Sequence, residues 1–206
     1  MSIAIRYIEG LKQAYIHNEA QEYWNDFEKL IHGVNEEDIK NLQQRFPLIP
    51  ESLVDLLKFV DGTDWRKYKD NNLAFIFLGS NLEGYPYYIN SAQQVLGSDN
   101  EFEFLKDYIN RDLDPDWGIP IDEKIIDDFN KVNWLHFSNC INNGGSSKLF
   151  IDFSPSDKGK VGQVVMYVHD PDELTVIADS FDEYLRGLID KKFNFVDEDI
   201  MDDYDL

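Results

Sequence analysis

Lys148-Leu-Phe-Ile-Asp-Phe153 places its leucine, its isoleucine and its second phenylalanine on one face, and this period of two is typical of a half-buried β-strand. The segment Trp134 to Cys140 precedes it and is joined to it through the turn Asn142-Asn-Gly-Gly145, so the pair predicts a hairpin. The same pattern continues at residues 162–169 and 174–178. The second half of the chain therefore predicts a meander of antiparallel strands.

Helices are predicted on both sides of this meander. Apolar residues in the first third recur at intervals of three and four, which is the helical period. The residues of these stripes are Ile8, Leu11, Tyr15, Tyr23, Phe27, Leu30, Ile31, Ile39, Leu42, Phe46, Leu53, Leu56, Leu57 and Val60. After the meander, Ser180 and Glu183 have the spacing of a capping box and open an amphipathic helix, which we expect to pack on the sheet.

Two central stretches have weaker patterns. The continuous apolar run Leu73 to Leu78 predicts a strand buried on both faces, which could be central in the sheet. Between Gly97 and Asn133 the spacing favours helices, interrupted by a loop at residues 112–118. The apolar residues of that spacing are Phe102, Leu105, Ile109, Ile121, Ile125 and Phe129. The predicted fold class is α+β, with a mainly antiparallel sheet, N-terminal helices and a C-terminal helix.

Length and composition predict one domain over residues 1–196 with an N-terminal helical extension. Residues 197–206 are acidic, contain no basic residue and are expected to be disordered. A single cysteine, Cys140, excludes an internal disulfide. No apolar run is long enough for a membrane span, and the start lacks the features of a signal peptide, so we expect a cytoplasmic protein that does not bind membranes.

The net charge favours a protein partner. The chain has 40 acidic and 19 basic residues, for a formal net charge of −21. Such a field repels the phosphates of nucleic acids, but it accelerates the encounter with a basic protein. The acidity could also serve solubility alone.

No arrangement of residues predicts an active site, a metal site or a cofactor site. His136 and Cys140 share a face of a predicted strand, but four residues at about 3.3 Å each separate them by roughly 13 Å. The segment from Asp152 to Asp157 resembles the start of a calcium loop, yet Asp157 stands where glycine is needed and Gln163 where glutamate is needed. We therefore expect a protein that is not an enzyme and that needs no cofactor.

The stretch from Trp134 to Ile189 resembles the SUKH superfamily, which includes the Smi/Knr-type cell-wall regulators and many bacterial immunity proteins. The residues that carry this resemblance are Trp134, Phe137, Asp152, Pro155, Gly159, Gly162, Gln163, Ala178, Asp179, Ser180, Phe181, Tyr184 and Leu185. Upstream, Ile49-Pro50-Glu51-Ser52-Leu53 and Asp61-Gly62-Thr63 are similar to a helix of the family and to the turn that follows it. For the motif residues we expect structural roles, since a tryptophan side chain commonly packs in the core and glycine permits tight turns of the backbone.

The resemblance implies function by protein binding, without a cofactor. The most direct hypothesis is an immunity protein that binds and neutralises a cognate bacterial toxin, for example a basic nuclease. The alternative is a regulatory scaffold that binds endogenous partners, and a third hypothesis, a hydrolase, lacks a convergent site. Because aromatic anchors dominate interface energies, the predicted contact residues are loop aromatics and a carboxylate: Trp65, Tyr85, Tyr87, Asp114 and Trp117.

Overall fold

The secondary structure follows the predicted α+β pattern. The computed structural model describes residues 2–82, 86–98, 103–112, 119–141 and 147–196. The helices of these residues are α1 (Ile3–His17), α2 (Gln21–Leu30), α3 (Glu36–Arg45), α4 (Glu51–Phe59), α5 (Ala92–Gly97), α6 (Lys106–Ile109) and α7 (Phe181–Asp190). The strands are β1 (Arg66–Tyr68), β2 (Asn71–Leu73), β3 (Trp134–Asn139), β4 (Lys148–Asp152), β5 (Gln163–Val168) and β6 (Glu173–Ala178).

The predicted meander is confirmed. Strands β3 to β6 form one antiparallel sheet in sequence order, while β1 and β2 form a separate hairpin. Alternation along the strands gives the sheet two buried faces. One face presents Leu135, Phe137, Leu149, Ile151, Val164 and Met166 to the main core. The other presents Trp134, Phe150, Val165, Tyr167 and Leu174 to a second, smaller core.

A layer of helices covers the first face. Helix α1 contacts α2, α4 and α7, and α7 contacts β5 and β6, as the amphipathic stripes predict. At the start of α7, the side chain of Ser180 accepts a hydrogen bond from the Glu183 amide at 3.2 Å, which confirms the predicted N-cap. The complete reciprocal capping box is found instead at Ser91 and Gln94, at the start of α5, a helix that the sequence pattern did not predict.

Residues 103–112 and 119–132 contribute to the cover of the second face, and here the helical prediction is mostly wrong. The described residues of this segment form two short helical turns, Glu103–Leu105 and Phe129–Lys131, besides the four-residue α6. Ile121 makes a parallel bridge with Leu174 on the outer edge of β6, and the Asp122 amide donates to the Leu174 carbonyl at 2.9 Å. Backbone groups committed to a strand edge cannot also form helical hydrogen bonds.

The run Leu73 to Leu78 is buried, but it is not a strand of the sheet. Phe75, Ile76, Phe77 and Leu78 have no exposed surface, and only an isolated bridge joins Leu78 to Tyr87. The carbonyl groups of this stretch accept hydrogen bonds from tyrosine side chains instead. We call residues 74–79 the tyrosine-held segment.

Four tyrosine hydroxyls from three helices hold this segment. From α1, Tyr15 donates to the Ile76 carbonyl and Tyr7 to the Phe77 carbonyl, each at 2.7 Å. Tyr23 of α2 donates to the Ala74 carbonyl at 3.2 Å, and Tyr184 of α7 donates to the Gly79 carbonyl at 2.6 Å. Burial raises the pKa of Tyr7, Tyr15 and Tyr184 well above the usual value, so the hydroxyls keep the protons that they donate.

We expect Tyr15→Phe to lower the free energy of unfolding by about 1 to 3 kcal/mol, because it leaves the buried Ile76 carbonyl without a donor. Tyr23→Phe is the matched control, since its bond is longer and lies in a partly buried place. Urea unfolding of both variants measures the difference. Equal stability of Tyr15→Phe and the wild type would mean that these hydroxyls contribute nothing to holding the segment.

Candidate functional site

The family-motif residues meet around the carboxylate of Asp152 in β4. One oxygen of this carboxylate accepts from the Ser154 amide at 2.7 Å, and the other accepts from the Gln163 side chain at 2.9 Å. Burial raises the pKa of the Asp152 carboxyl, and hydrogen bonds from Ser154, Gln163 and Trp134 partly offset the rise. Because the side chain has no exposed surface, these contacts serve to hold the chain together.

The same cluster ties the β4–β5 loop to the segment before β3. Gln163 donates to the Lys124 carbonyl at 3.1 Å, and the Ser156 amide donates to the same carbonyl at 3.0 Å. A Cβ atom on Gly159 would lie 2.5 Å from the Lys124 carbonyl oxygen and 2.7 Å from Oε1 of Gln163, so the close approach requires glycine. We call Asp152, Gly159, Gly162 and Gln163 the motif clamp.

The remaining motif residues lie in the sheet, in α7 or beside the clamp. Trp134 packs on Phe150 with ring centroids 5.1 Å apart, and Phe181 meets Phe137 edge to face at 5.3 Å. Ser180 caps α7, and Pro155 lies beside Gly159. Every one of these contacts is internal to the domain.

We expect Gly159→Ala to lower the free energy of unfolding by about 1 to 3 kcal/mol, because the new methyl group overlaps the Lys124 carbonyl oxygen and the side chains of Gln163 and Pro155. Gly187→Ala is the matched control. A Cβ atom at Gly187 in α7 meets no atom within 4 Å, so this change should raise stability by about 0.5 to 1 kcal/mol through helix propensity. Denaturant unfolding compares the two variants, and shifts of the same sign would contradict this assignment of the clamp.

His136 and Cys140 make separate contacts. A ring nitrogen of His136 lies 3.2 Å from the Ser138 carbonyl, and the Cys140 thiol donates to the Pro86 carbonyl at 3.3 Å. The strand has a bulge between His136 and Ser138, which the sequence pattern did not predict. Within the described part of the chain, no group of three histidine, cysteine or acidic side chains could hold a metal ion.

Burial lowers the pKa of His136 to about 3 from an ordinary value of 6.5. Below pH 6.5 the unfolded chain takes up a proton that the folded protein does not bind, so stability falls as the pH falls towards 3. The slope from this one group is at most about 1.4 kcal/mol per pH unit.

We therefore expect His136→Gln to lose less stability than the wild type between about pH 6 and pH 4.5, by up to roughly 1.4 kcal/mol per pH unit. Glutamine can still donate towards the Ser138 carbonyl. Urea unfolding across a pH series measures both slopes, with His17→Gln at an exposed histidine as the control for loss of an imidazole. Parallel curves for His136→Gln and the wild type would refute the prediction.

The predicted partner-binding residues differ in their exposure to solvent. Trp65 is 68% exposed, the highest exposure among the large hydrophobic side chains of the described residues. Tyr87 is fully buried, so its prediction as a surface contact is wrong. It lies between Leu78 and Cys140 and bridges both, which turns its ring into the core. The other predicted contacts lie outside the described residues: Tyr85, Asp114 and Trp117, together with the acidic tail at 197–206.

Trp65 is held by a rigid loop. Its φ angle is 47°, a left-handed conformation that is uncommon for a bulky residue. Before it, the buried Asp61 carboxylate accepts from the Ala92 amide at 3.0 Å and from Arg66 at 2.8 Å. Next to it, Asp64 accepts from Asn139 through its side chain at 2.7 Å. The indole is therefore presented to solvent on a backbone that is fixed on both sides.

Hydrogen bonds connect this loop to acidic residues of α3, while the basic residues Lys67 and Lys69 follow Trp65 in the chain. The Asp64 backbone carbonyl accepts from Gln94 of α5 at 3.0 Å, and Gln93 of the same helix reaches Asp38 of α3 at 3.4 Å. The first turn of α3 consists of Glu36, Glu37 and Asp38. The ion pairs found among the described residues include neither Asp64 nor these three carboxylates. We call Trp65, Asp64, Gln93 and the first turn of α3 the Trp65 face.

Comparison with known proteins gives the family directly. The family model described as SMI1 / KNR4 family (SUKH-1) matches residues 33–187, about three-quarters of the chain. This chain belongs to the SMI1 / KNR4 family. The match begins after α2 and includes the Trp65 face, the sheet and the motif clamp.

Family membership assigns the chain to a broad class, a protein-binding immunity or regulatory module. Domains of this family are generally non-enzymatic binding modules. No curated protein matches the chain. Among the described residues, no helix combines the length and the apolar character that crossing a membrane requires.

Proposed function

We propose that this chain is an immunity protein, which binds and neutralises a cognate bacterial toxin domain with a basic surface, in the cytoplasm of the cell that makes it. The observation that carries the proposal is the exposed Trp65, whose loop is linked through α5 to the acidic first turn of α3, in a protein-binding family member with a net charge of −21. The partner is a protein, since phosphate backbones and anionic lipids are repelled by such a field.

Trp65 supports this role through the energetics of interfaces. Tryptophan is enriched among the few residues that carry most of the binding energy of an interface. The Trp65 loop is fixed by Asp61, Asp64 and Arg66 before any partner arrives, so little conformational entropy remains to be lost on binding. The strained φ angle is also maintained for a residue that makes no core contact.

The charges support the choice of a basic partner. Asp64 precedes Trp65 in the chain, and hydrogen bonds from Gln93 and Gln94 of α5 connect the Trp65 loop to the acidic first turn of α3. Carboxylates in these places attract lysine and arginine side chains. Opposite fields accelerate association more than they slow dissociation. An inhibitor that must capture a toxin quickly gains most from a fast association rate.

We expect Trp65→Ala to weaken binding of the cognate toxin domain about 30-fold, which is the loss of about 2 kcal/mol typical of an interface hot spot. Association of the wild type should also slow as salt rises, since charges are screened over roughly 8 to 10 Å at physiological ionic strength. The measurement is surface binding of toxin domains encoded beside the gene, across a salt series, with a growth-rescue assay in cells that express the toxin.

Phe104→Ala is the control, because Phe104 is another exposed aromatic side chain that packs against Tyr167 of β5 and is not part of the Trp65 face. It should leave toxin binding unchanged. If neighbouring toxin domains are neither bound nor neutralised, the immunity proposal is wrong. A regulatory scaffold that binds endogenous partners would then explain the family fold.

A further inference from the structure

A groove of about 590 Å³ opens where three helices begin. The capping residues Ser2 of α1, Pro50 of α4 and Ser180 of α7 all line it. Its rim carries Leu48, which is 63% exposed, and Val161, which is 58% exposed. These are the two most exposed large aliphatic side chains of the described residues, and both line the same groove.

The two turns that present Leu48 and Val161 are rigid. Leu48 lies in the turn between α3 and α4, where the Ile49 amide donates to the Phe46 carbonyl at 3.0 Å. Phe46 contacts Phe153, at the start of the loop that carries Val161, with ring centroids 5.9 Å apart. The groove walls therefore support each other in the absence of a ligand.

The motif clamp fixes the position of Val161. The next residue, Gly162, has a φ angle of 89°, which favours glycine, and its amide donates to the Asp152 carbonyl at 2.7 Å. On the opposite wall, the Ser52 hydroxyl of α4 donates to the Asp182 carboxylate of α7. The groove is consequently preformed, and a bound segment would not have to order it.

The charges along the groove select a cationic ligand. Glu51, Asp55 and Asp182 line it, and Arg186, whose guanidinium lies 3.8 Å from Asp182, is the one cationic side chain among the described lining residues. Lys58 pairs with Asp55 at 3.6 Å but does not line the groove. Glu51 and Asp182 also stabilise the first turns of their helices, where negative charge is favourable.

We propose that this groove is a second protein-docking site, and that it takes a partner segment in which an aliphatic side chain is flanked by arginine or lysine. The aliphatic side chain packs between Leu48 and Val161, and the flanking cations lie against Glu51 and Asp182. The groove shares no lining residue with the Trp65 face. The inference therefore concerns a second surface and goes beyond toxin binding.

The test uses defined peptides and the full chain. The probe is a capped ten-residue peptide of glycine and serine with Arg-Leu-Arg at its centre, and the comparison peptides carry Glu-Leu-Glu or Arg-Ala-Arg. Binding is followed by chemical-shift changes in the isotope-labelled protein. We expect saturable changes at Leu48, Val161 and Arg186 with the Arg-Leu-Arg peptide, and at least fivefold weaker binding of the other two.

Variants of the groove make the test specific. Leu48→Ser should weaken the Arg-Leu-Arg peptide at least fivefold, and Asp182→Asn should weaken it about threefold. Ile5→Ser is the matched control, because Ile5 is an exposed aliphatic residue, at 47%, that does not line the groove. Thermal unfolding of each variant establishes that it is folded before binding is compared.

Three results would each overturn the docking site: no saturation up to several millimolar peptide, shifts that lie away from the groove, or equal loss of binding in Leu48→Ser and Ile5→Ser. Trp65→Ala should bind the peptide as the wild type does. Failure of the peptide to bind would contradict the groove proposal without affecting the toxin-binding proposal. Failure of toxin binding would contradict the immunity proposal without affecting the groove proposal.

Discussion

The tyrosine-held segment is the constraint on which the rest of the structure depends. Residues 74–79 cross the main core without a regular ladder of backbone bonds, and buried carbonyl groups without donors would each cost about 1 to 3 kcal/mol. Hydroxyls from α1, α2 and α7 supply those donors. The same hydrogen bonds attach the three helices to this segment. The contacts that supply donors to the buried carbonyl groups therefore also pack the helices.

The segment also connects the helices to the sheet. The Phe77 and Leu78 amides donate to the Tyr87 carbonyl, and the stretch that contains Tyr87 pairs with β3: the Tyr88 amide donates to the Asn139 carbonyl at 2.9 Å. The outer edge of β3 is thereby covered by residues 86–90, and the outer edge of β6 is covered at Ile121. Edge positions that are covered in this way cannot recruit a further strand.

Both proposed docking surfaces are built in the same way, on a buried carboxylate. Asp61, 2% exposed, accepts hydrogen bonds from Ala92 and Arg66 and so fixes the loop of Trp65. Asp152, without exposed surface, organises the clamp that fixes the loop of Val161. In each case an internal polar contact keeps an apolar side chain on the outside, where a partner can reach it. If the two proposals hold, structural motif residues contribute to binding without touching the partner.

The sequence by itself determined the elements whose local period is regular. The alternation from Trp134 to Ala178 predicted the meander, and the stripes predicted α1 to α4 and α7, whereas the weaker period between Gly97 and Asn133 was misleading. The net charge of −21 favours a basic protein as the partner, which stays a prediction. These signals are local, because the spacing of apolar residues within one helix or strand already indicates which of its sides faces the core.

The tertiary structure alone decided that residues 74–79 are held by tyrosines rather than by a sheet, since those tyrosines are 51 to 105 positions away in the chain. It also decided that Tyr87 is buried while Trp65 is exposed, and that Leu48 and Val161 share one groove. Tyr87 and Trp65 are both aromatic residues in loops, and their neighbours in the sequence do not distinguish them. Only the packing of distant segments determines whether such a ring lies in the core or in solvent.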